Sequence, residues 1–174
     1  MKNRFLFISS NTIAIFALFI CISCQQSTPA EQTVILPPQN TTTNDLPHMA
    51  LTTLEGNNMM VKNHQGKAVL VLFQPECDDC QREAVQIRNN IEAFKDYTLF
   101  FISSAPLPQI SEFRNNFFQL NSYDNVIFAQ TTVQNVINTL GPIPAPSVYI
   151  YADGGKLVKY FNGEIEIEVI KNVL

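Results

Sequence analysis

The sequence predicts an α/β domain, and three observations carry that prediction. Ala68-Val-Leu-Val-Leu-Phe73 is a continuous apolar run of strand length, as a central strand covered on both faces carries. Cys80, Ala84, Ile87, Ile91 and Phe94 then recur at helical spacing, a buried stripe with Arg82, Glu83, Arg88 and Glu92 among the polar positions. Further strand and helix patterns alternate downstream, as a chain returning to one sheet requires. With 174 residues, 46% of them hydrophobic, the chain can bury one core and does not depend on disulfides to fold.

The first elements in order are not part of that domain. Lys2 and Arg4 precede an apolar run from Ile13 to Ile22 that ends at Ser23-Cys24, so residues 1–24 read as a targeting segment too short for a comfortable membrane span. A small residue followed by cysteine resembles the lipobox of bacterial lipoproteins, which implies that Cys24 is lipidated and becomes the mature N-terminus. Cys21 stands where the usual leucine would be, and an uncleaved anchor or an ordinary signal peptide are the other readings. All three put the domain outside the cytoplasm. Cleavage before Cys24 takes the formal charge from -4 to about -6, and no basic run remains to recruit nucleic acid.

Residues 25–46 are rich in Thr, Gln, Asn and Pro without an apolar period, and read as a flexible tether of roughly 3 Å per residue when extended. An added edge strand over Thr33 to Leu36 is the alternative, opposed by Pro37-Pro38. Residues 47–174 form the expected folded domain.

Within it, Gln74-Pro-Glu-Cys-Asp-Asp-Cys80 sits at a strand-to-helix turn. Cys77 falls at or before the helix N-terminus, where free N–H groups and the dipole favour a thiolate. Cys80 falls one turn in, on the apolar face. An exposed nucleophile and a sheltered resolving thiol suit disulfide exchange: Cys77 attacks and Cys80 breaks the mixed disulfide. Two blander readings compete. A structural disulfide would close too short a ring to restrain the unfolded chain much. A zinc site would have to recruit both His48 and His64, which lack paired ligand spacing; neither a metal nor another cofactor is expected.

The remaining elements follow. Thr98 to Ser103 is a strand, and Ile110, Phe113, Phe117 and Leu120 mark a helix after Pro106 and Pro108. Val126 to Ala129 is a short strand, and Thr131 or Thr132 caps a helix carrying Val133, Val136, Ile137 and Leu140 that ends at Gly141. Ser147 to Tyr151 and Leu157 to Phe161 flank Asp153-Gly-Gly, a hairpin signal, and Glu164 to Leu174 could form a short closing helix.

This order resembles the thioredoxin fold: an apolar strand, C-x-x-C at a helix start, a βα return, then proline before a strand, a glycine turn and another strand. Leu51-Thr-Thr-Leu-Glu-Gly56, Gly66-Lys-Ala-Val-Leu70, Cys80-Gln-Arg-Glu83 and an extra βα segment near residues 98–120 are similar to the TlpA/ResA-like, redoxin-type thiol-disulfide oxidoreductases of the extracytoplasmic space. The resemblance implies a central mixed β-sheet flanked by helices and a redox-active disulfide between Cys77 and Cys80. It implies that Pro146 forms a cis-peptide beside the dithiol, that Ala145 pairs with an incoming substrate strand, and that Glu83 takes the proton of Cys80. It further implies disulfide-containing protein substrates, a membrane or periplasmic electron donor, and a lipid anchor in a bacterial membrane facing the periplasm.

The chain also departs from that family. Glu76 replaces an aromatic residue, Asp78-Asp79 replace a pair that usually includes proline, and Val71 stands where thioredoxin has a buried acid. The two aspartates suit a helix N-terminus, yet with Glu76 they repel a Cys77 thiolate. A less stabilised thiolate argues for a reducing couple and basic partners. Three other readings remain. Peroxide reduction is weakened by Gln74 three residues before Cys77. Copper delivery is weakened by the short cysteine spacing and by histidines that both come earlier. A non-catalytic scaffold would keep the fold without the chemistry.

Overall fold

Residues of β3 (Lys67–Leu72) alternate between two cores, which explains why the run is apolar throughout. The computed structural model describes residues 43–118 and 123–174. Val69 and Val71 join one cluster with Cys80, Ala84 and Ile87 of α1 (Asp78–Asn89), and with Ile110 and Phe113 of α2 (Leu107–Phe113). Ala68, Leu70 and Leu72 join a second with Leu46, Met49 and Val61, against which Val136 and Leu140 of α3 (Val133–Leu140) pack.

The other strands are β1 (Ala50–Thr53), β2 (Asn58–Met60), β4 (Tyr97–Ser103), β5 (Val126–Gln130), β6 (Ser147–Tyr151) and β7 (Leu157–Asn162), and α4 (Ile167–Lys171) closes the order. They make one seven-stranded sheet, β2-β1-β5-β4-β3-β6-β7. The pairs β3–β4 and β4–β5 are parallel, and β3–β6, β6–β7, β1–β5 and β1–β2 antiparallel, so the sheet is mixed as expected. The dithiol turn follows the carboxyl end of β3.

Several expectations need refinement. The β1–β2 hairpin, turned at Gly56 with φ 83°, was not among the expected strands. The stripe through Phe94 is correct in burial, but α1 stops at Asn89 and Ile91–Phe94 form a separate 3-10 turn. The helix after Pro106 ends in a π turn at Arg114–Phe118, and Leu120 lies outside the described residues. On α3, Thr132 is the cap, accepting from the Asn135 N–H at 3.1 Å, but Val133 and Ile137 face solvent. Asn44 to Leu46 are bonded into the domain: Asp45 N–H donates to the Gly155 carbonyl at 2.8 Å, and Leu46 is buried. The targeting segment, Cys24 and the Thr33–Leu36 stretch lie outside the described residues. Among those described, no helix is long and apolar enough to cross a membrane.

Candidate active site

The turn after β3 delivers Cys77 to the N-cap of α1. Its N–H donates to the Gln74 carbonyl at 3.1 Å, its backbone is extended, and its Sγ accepts from the Cys80 N–H at 3.1 Å. That last bond satisfies one of the free donors of the helix start, a place that favours negative charge. Cys77 and Cys80 are joined as a disulfide with their Cα atoms 5.2 Å apart. Cys77 is partly exposed, whereas Cys80 is 2% exposed and belongs to the core cluster. Attack from outside therefore meets Cys77 first.

A second chain segment closes on the same sulfur. The Cys77 Sγ lies 3.7 Å from the Ala145 carbonyl oxygen, and the Ala145–Pro146 peptide is cis. Ala145 is exposed and Pro146 buried at the head of β6. Ser147 anchors the turn, its Oγ donating to the Pro144 carbonyl at 2.7 Å and bonding Asn162 Oδ1 at 3.1 Å.

The burial of Glu83 is the least expected feature. The sequence set this residue among the polar positions of α1, but it is 1% exposed. Its Oε2 accepts from the Ile165 N–H at 3.2 Å, while Oε1 is buried without a partner. Burial pushes this carboxyl up to about 7, the Ile165 hydrogen bond pulling it down and nearby Glu164 pushing it further up. Three positions after Cys80, it is a helix-surface neighbour of the inner cysteine, with Cβ atoms ~5–6 Å apart in such pairs. Val71, where thioredoxin has its acid, is a buried apolar residue of β3.

The acidic residues of the turn are unequal. All three are exposed, but Asp79 pairs with Arg82, which also holds Glu164, whereas Glu76 and Asp78 have no ion pair among the described residues. The Arg82–Glu164 contact was not foreseen, because it joins positions far apart in sequence. Gln74 turns toward the end of β4, donating through Nε2 to Ser104 Oγ at 3.0 Å and accepting from Ser103 Oγ at 3.4 Å. Among the described residues, no three His, Cys, Asp or Glu side chains gather where they could hold a metal ion. His64, at the opposite end of β3, packs edge-on against Phe100 with ring centroids 5.1 Å apart.

The sequence profile described as AhpC/TSA family matches residues 42–159, most of the described domain. The chain belongs to the AhpC/TSA family. Curated protein sequences offer no match. Solved structures similar to this AhpC/TSA protein include dsbF of MTB in mixed oxidized and reduced forms, 20% identical over 74% of this chain and 93% of that one, TM-score 0.60. A secreted Mycobacterium tuberculosis disulfide oxidoreductase homologous to E. coli DsbE is 18% identical over 72% and 92%, TM-score 0.61. StoA from Bacillus subtilis is 18% identical over 71% and 92%, TM-score 0.55. At these identities the likeness establishes the fold of this AhpC/TSA protein, which is thioredoxin-like.

Proposed function

We propose that this thioredoxin-like oxidoreductase reduces disulfides of proteins outside the cytoplasm through the Cys77–Cys80 dithiol. The observation that carries the reading is the asymmetry of the pair: Cys77 is partly exposed at a helix N-cap against the Ala145 carbonyl, and Cys80 is buried one turn behind it. Starting from the reduced dithiol, the Cys77 thiolate attacks one sulfur of a substrate disulfide, forming a mixed disulfide and releasing the other substrate sulfur as a thiolate. Cys80 loses its proton to Glu83, and the Cys80 thiolate attacks Cys77 Sγ. The second substrate sulfur leaves as a thiolate and takes up a proton. Two electrons have moved to the substrate, and the Cys77–Cys80 disulfide must be reduced again by a thiol donor in or near the membrane.

Ala145, exposed ahead of Pro146, offers its backbone to an extended substrate segment beside Cys77. Lipidation at Cys24, with the stretch between it and the docked Asn44 as tether, would hold the domain within tens of ångströms of a bacterial membrane, facing the periplasm. Insulin reduction by the purified protein tests the activity. Turnover that disappears in Cys77→Ser supports the reading, and equal rates for wild type and variant would favour the scaffold reading.

A further inference from the structure

Helix α1 grips the chain between β7 and α4 through three neighbouring side chains. Arg82 clamps the Glu164 carboxylate, Nε lying 3.0 and 3.1 Å from its two oxygens and Nη2 2.7 Å from one of them. Glu83 Oε2 accepts from the Ile165 N–H at 3.2 Å, and Gln86 Oε1 accepts from the Ile167 N–H at 3.1 Å. Residues 164–167 thus lie as a strap along α1. Because Arg82 also pairs with Asp79, the strap is linked to the first turn of the helix that bears the dithiol.

Beneath the strap sits the one buried carboxylate of the site, with Oε2 tied and Oε1 bare. A carboxylate in that state is costly to ionise unless water or a donor reaches it. Whatever fixes the strap therefore fixes how readily Glu83 gives up its proton. We propose that Arg82 and Glu164 are positioning residues: their ion pair seats the Ile165 N–H on Glu83 and excludes water from Oε1, and so sets the protonation of Glu83. The proposal rests on the proton-transfer role of Glu83 given above only for its bearing on turnover.

The charged neighbours are few. Glu164 on the strap faces Glu83 and disfavours its ionisation. Asp79 and Arg82 on α1 are engaged with each other and with Glu164. Glu166 is exposed, Lys171 of α4 is bound to Glu168 and Asn90, and Lys159 of β7 lies over the Phe161 ring. The β3 and β6 strands contribute Val69, Val71, Val148 and Ile150 to the cluster that contains Cys80. The Arg82 and Glu164 side chains are 55% and 26% exposed, so screening limits their direct field. Their leverage is the place in which they hold the backbone.

Loosening the strap admits water to Oε1, and removing the Glu164 charge acts in the same direction. Loss of the Ile165 hydrogen bond opposes both, but burial is the larger influence on Glu83. The test uses the full chain, with Glu83 carboxyl titration followed by carbon-13 NMR and exchange of the Ile165 and Ile167 amides followed in parallel. Glu164→Gln is expected to speed both amides about tenfold and to lower the Glu83 midpoint by about one pH unit. Arg82→Lys, which keeps the charge but loses the fork, should move both readings in the same direction by less. Glu166→Gln should leave both unchanged. A Glu83 midpoint that stays at its wild-type value in Glu164→Gln and Arg82→Lys overturns the proposal. The proton-transfer reading fails separately: an unaltered pH–rate profile for mixed-disulfide resolution in Glu83→Gln sinks that role whatever the strap variants do.

Discussion

The Sγ of Cys77 lies 3.7 Å from the carbonyl oxygen of Ala145, which brings the N-cap of α1 against the loop that leads into β6. An extended segment meeting Ala145 thereby meets the exposed sulfur as well. Alignment of this kind converts an encounter into an oriented reaction. Cys80, the other end of the dithiol, is buried.

Glu83 should make both stability and turnover depend on pH near neutrality. Its carboxyl titrates at about 7 in the folded protein against an ordinary value of 4.5, so between these the folded chain holds a proton that the unfolded chain has released. The stability from the protonated form is fully present below about 4.5 and is lost as pH rises through about 7, on the order of 3 kcal/mol in all. Urea unfolding of wild type across this range should show the loss, and Glu83→Gln should flatten it. A wild-type curve as flat as that of the variant would count against this titration.

Under the proposed role of Glu83 as proton acceptor, turnover carries the opposite sign, because a base acts when ionised. Resolution of the mixed disulfide should accelerate as pH rises through about 7, and Glu83→Gln should slow it on the order of 10²-fold while removing that rise. Rapid-mixing kinetics with a preformed mixed disulfide would measure the step directly.

The exposed carboxylates of the turn should keep the couple reducing. Glu76 and Asp78 have no cation paired with them among the described residues, unlike Asp79, so their charge acts on Cys77 through solvent. Glu76→Gln and Asp78→Asn should each make the Cys77 thiolate easier to form, by removing a repelling charge, and make the couple more oxidising. Thiolate ultraviolet absorbance and glutathione equilibration report the two quantities. A wild-type potential near that of strong periplasmic oxidants contradicts the reducing assignment.

Stability should separate the core from the open face of α3. Phe101, fully buried and stacked on Phe128 with ring centroids 4.7 Å apart, should cost about 3–5 kcal/mol as Phe101→Ala. Thr132→Ala removes a helix cap and should cost about 1 kcal/mol. Ile137→Asn, at a position 46% exposed, should stay within about 0.5 kcal/mol. Chemical denaturation of the three variants measures the order.

Local periodicity made β3 and α1 readable, and with them the placement of Cys77 at a helix start and of Cys80 inside. The Thr132 cap, the Gly141 stop and the β6–β7 hairpin were equally legible, because each depends on a few adjacent residues. The burial of Glu83 was not, since it depends on Ile165 and Glu164 arriving from beyond β7, although the place of Glu83 after Cys80 marks it as a candidate proton acceptor. The β1–β2 hairpin escaped because strands of four and three residues carry too little alternation to register, and β1 gains its place by pairing with β5. Val133 and Ile137 follow the helical period of a buried face, yet only Val136 and Leu140 pack on the core.

The most direct measurement of the central claim is trapping with Cys80→Ser. Incubated in reduced form with a disulfide-bonded peptide, this variant should accumulate a stable one-to-one mixed disulfide through Cys77, visible by mass spectrometry and released by thiol. Cys77→Ser under the same conditions should trap little or none, because its remaining thiol is buried. An adduct that forms through Cys80 in preference to Cys77, or no adduct with either variant, would contradict the account.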